Sequence, residues 1–196
     1  MKRKLLAAIM LIVLALGVMA FAACEEKQND NADVLTVETV PGGCLRTDLR
    51  LAVEIDKQIS LDAPIKLKVK FGHVSEATVP IAAKLSVYNS ADMMEAMTYA
   101  EKAKVPTTIL YETSDFVTKK NYIKHKVDEN GREYDLKYPL SLKVEIPKEH
   151  VSREQGSLSF LLSTISLDGT FHRIEASVTI RYEIRDGEIY FFSPSN

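Results

Sequence analysis

The sequence predicts an all-β fold, an antiparallel two-layer β-sandwich with one short helix near residues 92–104. Three observations support this class. Apolar residues alternate with polar ones along much of the chain after residue 34, pairs of Asn or Asp with Gly separate such runs, and no long helical pattern lies between them. Parallel strands covered on both faces would give unbroken apolar runs, so we expect antiparallel sheets.

The composition is that of a globular protein. The chain has 196 residues, 46% of them hydrophobic and 27% charged, with 8 Gly, 7 Pro and 2 Cys. These values exclude collagen-like, disordered and disulfide-rich proteins. Without residues 1–23, which carry three bases and no acid, the chain keeps 22 basic and 27 acidic residues. We therefore expect no nucleic-acid partner.

The amino terminus has the layout of a secretory signal. Lys2, Arg3 and Lys4 form a positive region, residues 5–19 are apolar, and small residues with one phenylalanine follow. This order predicts a signal-peptide helix over residues 1–23 that is not part of the fold. The apolar run is also long enough to span a bilayer, so a retained membrane anchor is the alternative.

The end of this segment, Phe21-Ala22-Ala23-Cys24, resembles the lipobox of bacterial lipoproteins, in which two small residues precede a cysteine. The resemblance implies cleavage between Ala23 and Cys24 and a diacylglycerol on the Cys24 thiol. It also implies an extracytoplasmic position, with the acyl chains holding the protein on the cell membrane. Phe21 departs from the usual aliphatic residue, which leaves ordinary cleavage after Ala22 open.

A lipidated cysteine and a disordered tether are expected over residues 24–33. The stretch 25–33 has no large apolar side chain, so it cannot bury enough surface to fold. If Cys24 is acylated, Cys44 is the only thiol left, and no disulfide forms within the chain. Under ordinary cleavage the two cysteines are able to pair. The β-sandwich domain is expected over residues 34–196.

Alternating runs mark the strands of this domain. Each run puts apolar side chains on one face and polar side chains on the other, as in a half-buried strand. The clearest runs cover residues 45–55, 65–71, 81–87, 140–146 and 174–184. They predict about nine to eleven strands, a pattern that resembles the immunoglobulin or fibronectin type III class.

A weak internal echo leaves a second organisation open. Residues 64–71 and 139–146 each begin with Pro and continue as an alternating strand. Two small tandem sandwiches, divided near residues 114–118, are the alternative to one enlarged domain.

Three dipeptides favour tight hairpins of type I′, because their residues adopt positive φ easily. They are Asn130-Gly131, Asp168-Gly169 and Asp186-Gly187. Two-residue loops at these points predict the following opposing pairs: Val127 and Tyr134, Lys126 and Asp135, Ile165 and His172, Ile184 and Ile189, and Tyr182 and Phe191.

One segment breaks the alternation. Residues 92–104 are rich in helix formers, with Asp92 and Glu95 spaced as a capping box and Met93 and Met97 on one side. A short helix between two strands follows from this pattern.

No catalytic constellation is visible in the sequence. It contains no GxSxG, HExxH, P-loop or GxGxxG motif, and its four histidines are scattered. His125 and His172 are interpreted as rim histidines of hairpins, and His73 and His150 as loop residues that follow strands. The stretch 128–131 has its glycine too early for a calcium loop. We expect no enzyme, cofactor or metal site.

Two basic surfaces are candidates for binding. The stretch 119–126 is basic with an interleaved tyrosine, which suits anionic lipid or an envelope polymer. The alternative is a charged hairpin neutralised by its partner strand. Lys66, Lys68 and Lys70 form a row that is typical of an edge strand, where lysines prevent pairing with a further strand.

A third candidate surface lies at the carboxyl end. The predicted register leaves Tyr190 and Phe192 on the solvent face beside Arg181 and Glu183. Aromatic residues are enriched at interfaces, so these four residues form a candidate interaction patch. The alternative is that another part of the domain covers this face.

These features together favour a membrane-anchored extracytoplasmic lipoprotein whose β-sandwich is a non-catalytic binding or interaction module. Its expected partners are the membrane, through the acyl chains on Cys24, and an envelope protein or polymer. The alternative is a lipid-anchored enzyme or an accessory subunit that delivers a ligand.

Overall fold

The computed structural model describes residues 33–39, 48–74, 81–166 and 174–194. The predicted signal peptide, Cys24, Cys44 and the Asp168-Gly169 turn with His172 lie outside the described residues. Strands make up 61% of this part of the chain, and they form antiparallel sheets, which confirms the predicted all-β class. Within it the strands are β1 (Val34–Glu38), β2 (Leu49–Asp56), β3 (Gln58–Ser60), β4 (Ile65–His73), β5 (Ile81–Asn89), β6 (Thr107–Thr113), β7 (Lys124–Val127), β8 (Glu133–Lys137), β9 (Leu140–Ile146), β10 (Gln155–Ser166), β11 (Ile174–Arg185) and β12 (Glu188–Phe192).

The strands form two main sheets and a hairpin. The first sheet has the order β1-β2-β4-β9, the second has the order β3-β12-β11-β10-β5-β6, and β7 pairs with β8. Both sheets contribute side chains to one hydrophobic core. In β4 the predicted alternation holds, because Ile65, Val69 and Phe71 are fully buried while the lysines between them reach solvent. Each such buried side chain stabilises the fold by about 1.5–3 kcal/mol.

Residues 33–196 form one compact unit. The two strands of the internal echo are neighbours in one sheet, with Ile65 of β4 opposite Ile146 of β9. The pairing of β5 with β10 likewise joins the two halves of the chain. A division near residues 114–118 is therefore wrong for this fold.

The row of Lys66, Lys68 and Lys70 does not guard an edge, so that interpretation is wrong. β4 lies between β2 and β9 and is hydrogen-bonded on both sides. The neighbouring strand supplies a counter-charge instead, because Glu54 of β2 forms ion pairs with Lys68 and Lys70. Cross-strand pairs of opposite charge stabilise a sheet face by a few tenths of a kcal/mol up to about 1 kcal/mol.

The hairpin β7–β8 differs from its predicted register near the turn. The N–H of Asp128 donates to the C=O of Arg132 (2.9 Å), so the loop holds three residues rather than two. Gly131 takes a φ of 77°, as in a three-residue loop that ends in a left-handed residue. The predicted pairs Val127–Tyr134 and Lys126–Asp135 are therefore wrong as backbone partners. Val127 lies opposite Glu133 and Lys126 opposite Tyr134.

A β-bulge further along the hairpin restores the register that the two-residue loop predicts. Asp135 has a φ of 53°, and beyond it Lys124 lies opposite Lys137, as the two-residue loop predicts. The Lys126 ammonium still reaches the Asp135 carboxylate at 3.3 Å. This ion pair favours the neutralised hairpin over a basic binding surface at residues 119–126.

The β7–β8 region docks on the outer side of the first sheet. At Gly72 an added Cβ would lie 2.6 Å from Ile123 Cγ1 and 2.8 Å from the Asn121 carbonyl oxygen, so only glycine permits this approach. Beside it, Arg50 donates from Nε to Glu133 Oε2 at 2.7 Å. Both side chains are largely buried, with 8% and 14% exposed. This ion pair fastens the hairpin to β2.

The predicted helix over residues 92–104 is replaced by two short helices, Ser90–Glu95 and Tyr99–Lys102. Asn89 caps the first helix by accepting the N–H of Ala91 (2.9 Å), and Thr98 and Glu101 form the capping box of the second. The predicted box of Asp92 and Glu95 is wrong. Both carboxylates bind the Arg153 guanidinium instead.

The pairing of β10 with β11 is offset from the predicted one. Thr164 lies opposite Ile174, whereas a two-residue loop at Asp168-Gly169 requires Thr164 opposite residue 173. The described strands are therefore one residue out of the predicted register, and His172, the predicted partner of Ile165, lies outside the described residues.

The buried ion pair between Arg50 and Glu133 gives a stability prediction. Glu133→Gln removes the Glu133 charge from this largely buried ion pair and should lower the free energy of unfolding by about 3 kcal/mol. Glu54→Gln, on the solvent face of the same sheet, is the matched control and should cost less than about 1 kcal/mol. Urea unfolding measures both. Equal losses would contradict the assigned role of the buried pair.

Candidate interaction surface

The last hairpin of the described chain carries the predicted contact residues. Asp186 and Gly187, between β11 and β12, have φ angles of 52° and 76°, as a type I′ turn requires. Ile184 lies opposite Ile189, and Tyr182 lies opposite Phe191. Both predicted pairs are confirmed.

The other face of this hairpin presents Arg181, Glu183, Tyr190 and Phe192, which we name the outer patch. Arg181 lies opposite Phe192, and Glu183 lies opposite Tyr190. Phe192 is 42% exposed, so the described part of the chain does not cover this face. Tyr190 is half-buried, with the Arg185 guanidinium 4.2 Å from its ring centroid. The guanidinium is attracted to the face of the ring by a cation–π interaction.

An open depression of about 250 Å³ adjoins Phe192. One wall is β11, and the other is the beginning of β10, where Gln155 lies opposite Glu183 and Ser157 opposite Arg181. Amide, hydroxyl and charged groups thus surround one exposed aromatic ring. Sequence reasoning missed the β10 wall, because only the pairing of β10 with β11 brings it to the outer patch.

Beneath the outer patch, Tyr182 lies against β10 at Gly156. An added Cβ at Gly156 would lie 2.6 Å from the Tyr182 phenolic oxygen, so the phenol fills the place of a side chain. A glycine within a strand is the sequence signal for such an approach. Burial raises the pKa of the Tyr182 phenol above its ordinary value of 10.0, so the hydroxyl stays protonated.

A buried polar network continues from Tyr182 to the neighbouring strand. Asn89 is fully buried, and its Nδ2 donates to the Tyr182 phenolic oxygen at 2.9 Å and to the His150 carbonyl oxygen at 2.8 Å. The network therefore joins β5, β11 and the 3₁₀ turn Lys148–Val151. Satisfied buried networks of this kind specify a single packing.

His150 is fully buried in that turn. Its Nε2 lies 2.9 Å from Thr108 Oγ1, and no described group bonds to its Nδ1. Burial lowers the pKa of the imidazole below its ordinary value of 6.5. A hydroxyl beside a histidine resembles a nucleophile and its base, but among the described residues no carboxylate bonds to this buried histidine to orient it.

The other two described histidines, His73 and His125, lie apart from the outer patch. His73 is the last residue of β4 rather than a loop residue, and its Nε2 bonds the Thr118 carbonyl oxygen at 2.9 Å. His125 Nε2 lies 3.9 Å from Glu133 Oε1. Among the described residues no group of three or more His, Cys, Asp or Glu side chains is placed to hold a metal ion.

No protein-family model, curated protein or solved structure matches the chain. In the described ranges no helix has the length and apolar character needed to cross a bilayer.

The buried His150 gives a pH prediction. The pKa of His150 is lowered in the folded state. As the pH falls below about 6.5, this imidazole therefore binds a proton in the unfolded chain before it does so in the folded chain. Stability should therefore be complete above pH 6.5 and decline below it. His150→Gln, which still reaches toward Thr108, should flatten this decline. Thermal melting at a series of pH values measures the effect, and an unchanged slope in His150→Gln would contradict it.

Proposed function

We propose that the protein is a bacterial lipoprotein, exported by its signal peptide, held on the outer side of the cell membrane by acylated Cys24, and acting through its β-sandwich as a non-catalytic interaction module. The outer patch is the observation that carries the interaction role. It combines an exposed aromatic ring with charges of both signs beside an open depression.

The chemistry of the outer patch favours a polar partner with an apolar contact at its centre. Phe192 offers a flat surface for stacking, while Arg181 and Glu183 on the neighbouring strand β11 provide a donor and an acceptor. Charges of both signs give orientation and specificity more than affinity. A protein or polymer of the cell envelope, carrying aromatic or sugar surfaces among polar groups, matches this lining.

We further propose an immunoglobulin-like arrangement for the domain. Two antiparallel sheets enclose one core, and the chain passes from the first sheet to the second between β2 and β3. Sandwiches of this class present binding surfaces on sheet faces and end loops, which agrees with the position of the outer patch on the outward face of β11 and β12.

The lipid anchor gives a localisation prediction. Two acyl chains on Cys24 should hold the protein on a membrane where one chain would not. Cys24→Ala should therefore move the full-length protein from the detergent phase to the aqueous phase in a partitioning assay. Cys44→Ala is the matched control and should leave partitioning unchanged. A Cys24→Ala protein that stays in the detergent phase would contradict lipidation and favour a retained apolar anchor.

The outer patch gives a binding prediction. Cross-linking of the anchored protein on living cells, followed by mass spectrometry, should capture one dominant envelope partner. The double variant Tyr190→Ala, Phe192→Ala should reduce that capture at least tenfold, since hot-spot aromatics carry most of the energy of small interfaces. Ile109→Ala, at a residue of β6 that is 49% exposed, controls for general loss of apolar surface. Capture that survives the double variant would overturn the assignment.

A further inference from the structure

The connection between β5 and β6 carries three large apolar side chains that nothing in the described chain covers. Met94 is 85% exposed, Met97 is 90% exposed and Tyr99 is 94% exposed. Single exposed apolar residues are normal on a soluble domain, but three within six residues of the chain indicate a contact site. We name these three residues the apolar tip.

Ion pairs and a capping box hold the backbone that carries the apolar tip. Arg153, just before β10, donates to Asp92 Oδ1 at 2.6 Å and to the two Glu95 carboxylate oxygens at 2.7 Å. The capping box of Thr98 and Glu101 then fixes the backbone that follows. A segment held by a bidentate ion pair loses little conformational entropy when its side chains meet a partner.

The position of the apolar tip follows from the strand register. β5 ends at Asn89, which lies opposite Leu158 near the beginning of β10. The beginning of β10 in turn pairs with the end of β11, before the Asp186-Gly187 turn. The Gly187 carbonyl oxygen accepts the N–H of Leu61 at 2.8 Å. The apolar tip, this turn and the connection from β3 to β4 therefore share one end of the two sheets, which we name the base.

The chain also begins its fold at the base. Val34 of β1 lies opposite Asp56 at the end of β2, and the Asp33 carbonyl oxygen accepts the N–H of Lys57, just before β3. Residues 25–33 thus connect Cys24 directly to the end that carries the apolar tip. The tether that the sequence predicts over these residues would reach roughly 15–18 Å as a coil. An anchor on Cys24 would then keep the base within that distance of the bilayer.

The side chains of the apolar tip suit a lipid interface. Methionine is flexible and apolar, and tyrosine places its ring among acyl chains with its hydroxyl at the headgroups. Lys102 and Lys104 are exposed next to it, and basic residues there attract anionic headgroups. The Glu101 carboxylate, between Tyr99 and Lys102 in the sequence, accepts hydrogen bonds from the backbone N–H groups of Met97 and Thr98.

We propose that the apolar tip inserts into the bilayer that holds the Cys24 anchor, so that the domain stands on its base. This inference rests on the lipid anchor of the proposed function. The occupant of the apolar tip is the lipid surface itself, with Met94, Met97 and Tyr99 in the interfacial region and Lys102 and Lys104 at the headgroups.

The chain has no tryptophan, which allows a single-tryptophan test. Full-length protein carrying Met97→Trp, processed in a bacterial host, is reconstituted into vesicles of phosphatidylglycerol and phosphatidylethanolamine. Its emission should shift to shorter wavelength, and brominated acyl chains should quench it severalfold more than in Phe192→Trp. Both substitutions replace exposed apolar side chains, so each variant should melt like the original protein.

The outcomes separate the docking from the anchor. If the protein does not float with the vesicles, the lipid anchor is wrong and the docking that rests on it falls as well. If it floats but the reporter at position 97 stays unquenched, the docking alone is overturned, and a protein partner for the apolar tip takes its place. Equal quenching at positions 97 and 192 would also overturn it, because the domain would then lie on its sheet face.

Discussion

The apolar surface shared by the two sheets is the constraint on which the rest of the domain depends. A shift of one residue in β2 or β4 would turn their apolar face to solvent and their charges to the core. Leu51, Val53 and Val69 are fully buried, so this register is strongly specified. Polar chemistry is left to the outward faces and the ends of the sandwich, where both proposed contact surfaces lie.

The polar network at the base links these surfaces to the core. Tyr182 points inward from β11, while Arg181 and Glu183, its neighbours in the chain, point outward to the outer patch. Through Asn89 the same tyrosine is bonded to the cap of the helix that leads to the apolar tip. Gly156 makes this possible, because any larger residue would displace the phenol. Loss of this network would therefore disturb both surfaces.

The sequence predicted features that depend on local geometry and missed those that depend on distant partners. The Asp186-Gly187 hairpin, and with it the outer patch, followed from the two-residue turn. At Asn130-Gly131 the same signal failed, because the Asp128 side chain accepts the N–H groups of Asn130 and Arg132 and extends the loop. The single helix over residues 92–104 was wrong because the backbone is extended at Ala96 and Thr98. The predicted capping box was wrong because Asp92 and Glu95 bind Arg153, which is distant in the sequence. The alternation of apolar and polar residues predicts which face of a strand is buried but not which strands lie beside it. For this reason the lysine row of β4 was wrongly predicted to lie at a sheet edge.

A domain standing on its base would present its sheet faces sideways. The outer patch would then point along the membrane, toward other proteins anchored in the same bilayer. It is small beside the roughly 800 Å² that each partner buries in a standard stable interface. Confinement to one surface raises the effective concentration of two anchored partners, so a weak contact is sufficient. The proposed anchor, the apolar tip and the outer patch thus form a consistent set, in which the membrane would supply the concentration and the orientation that the small patch lacks.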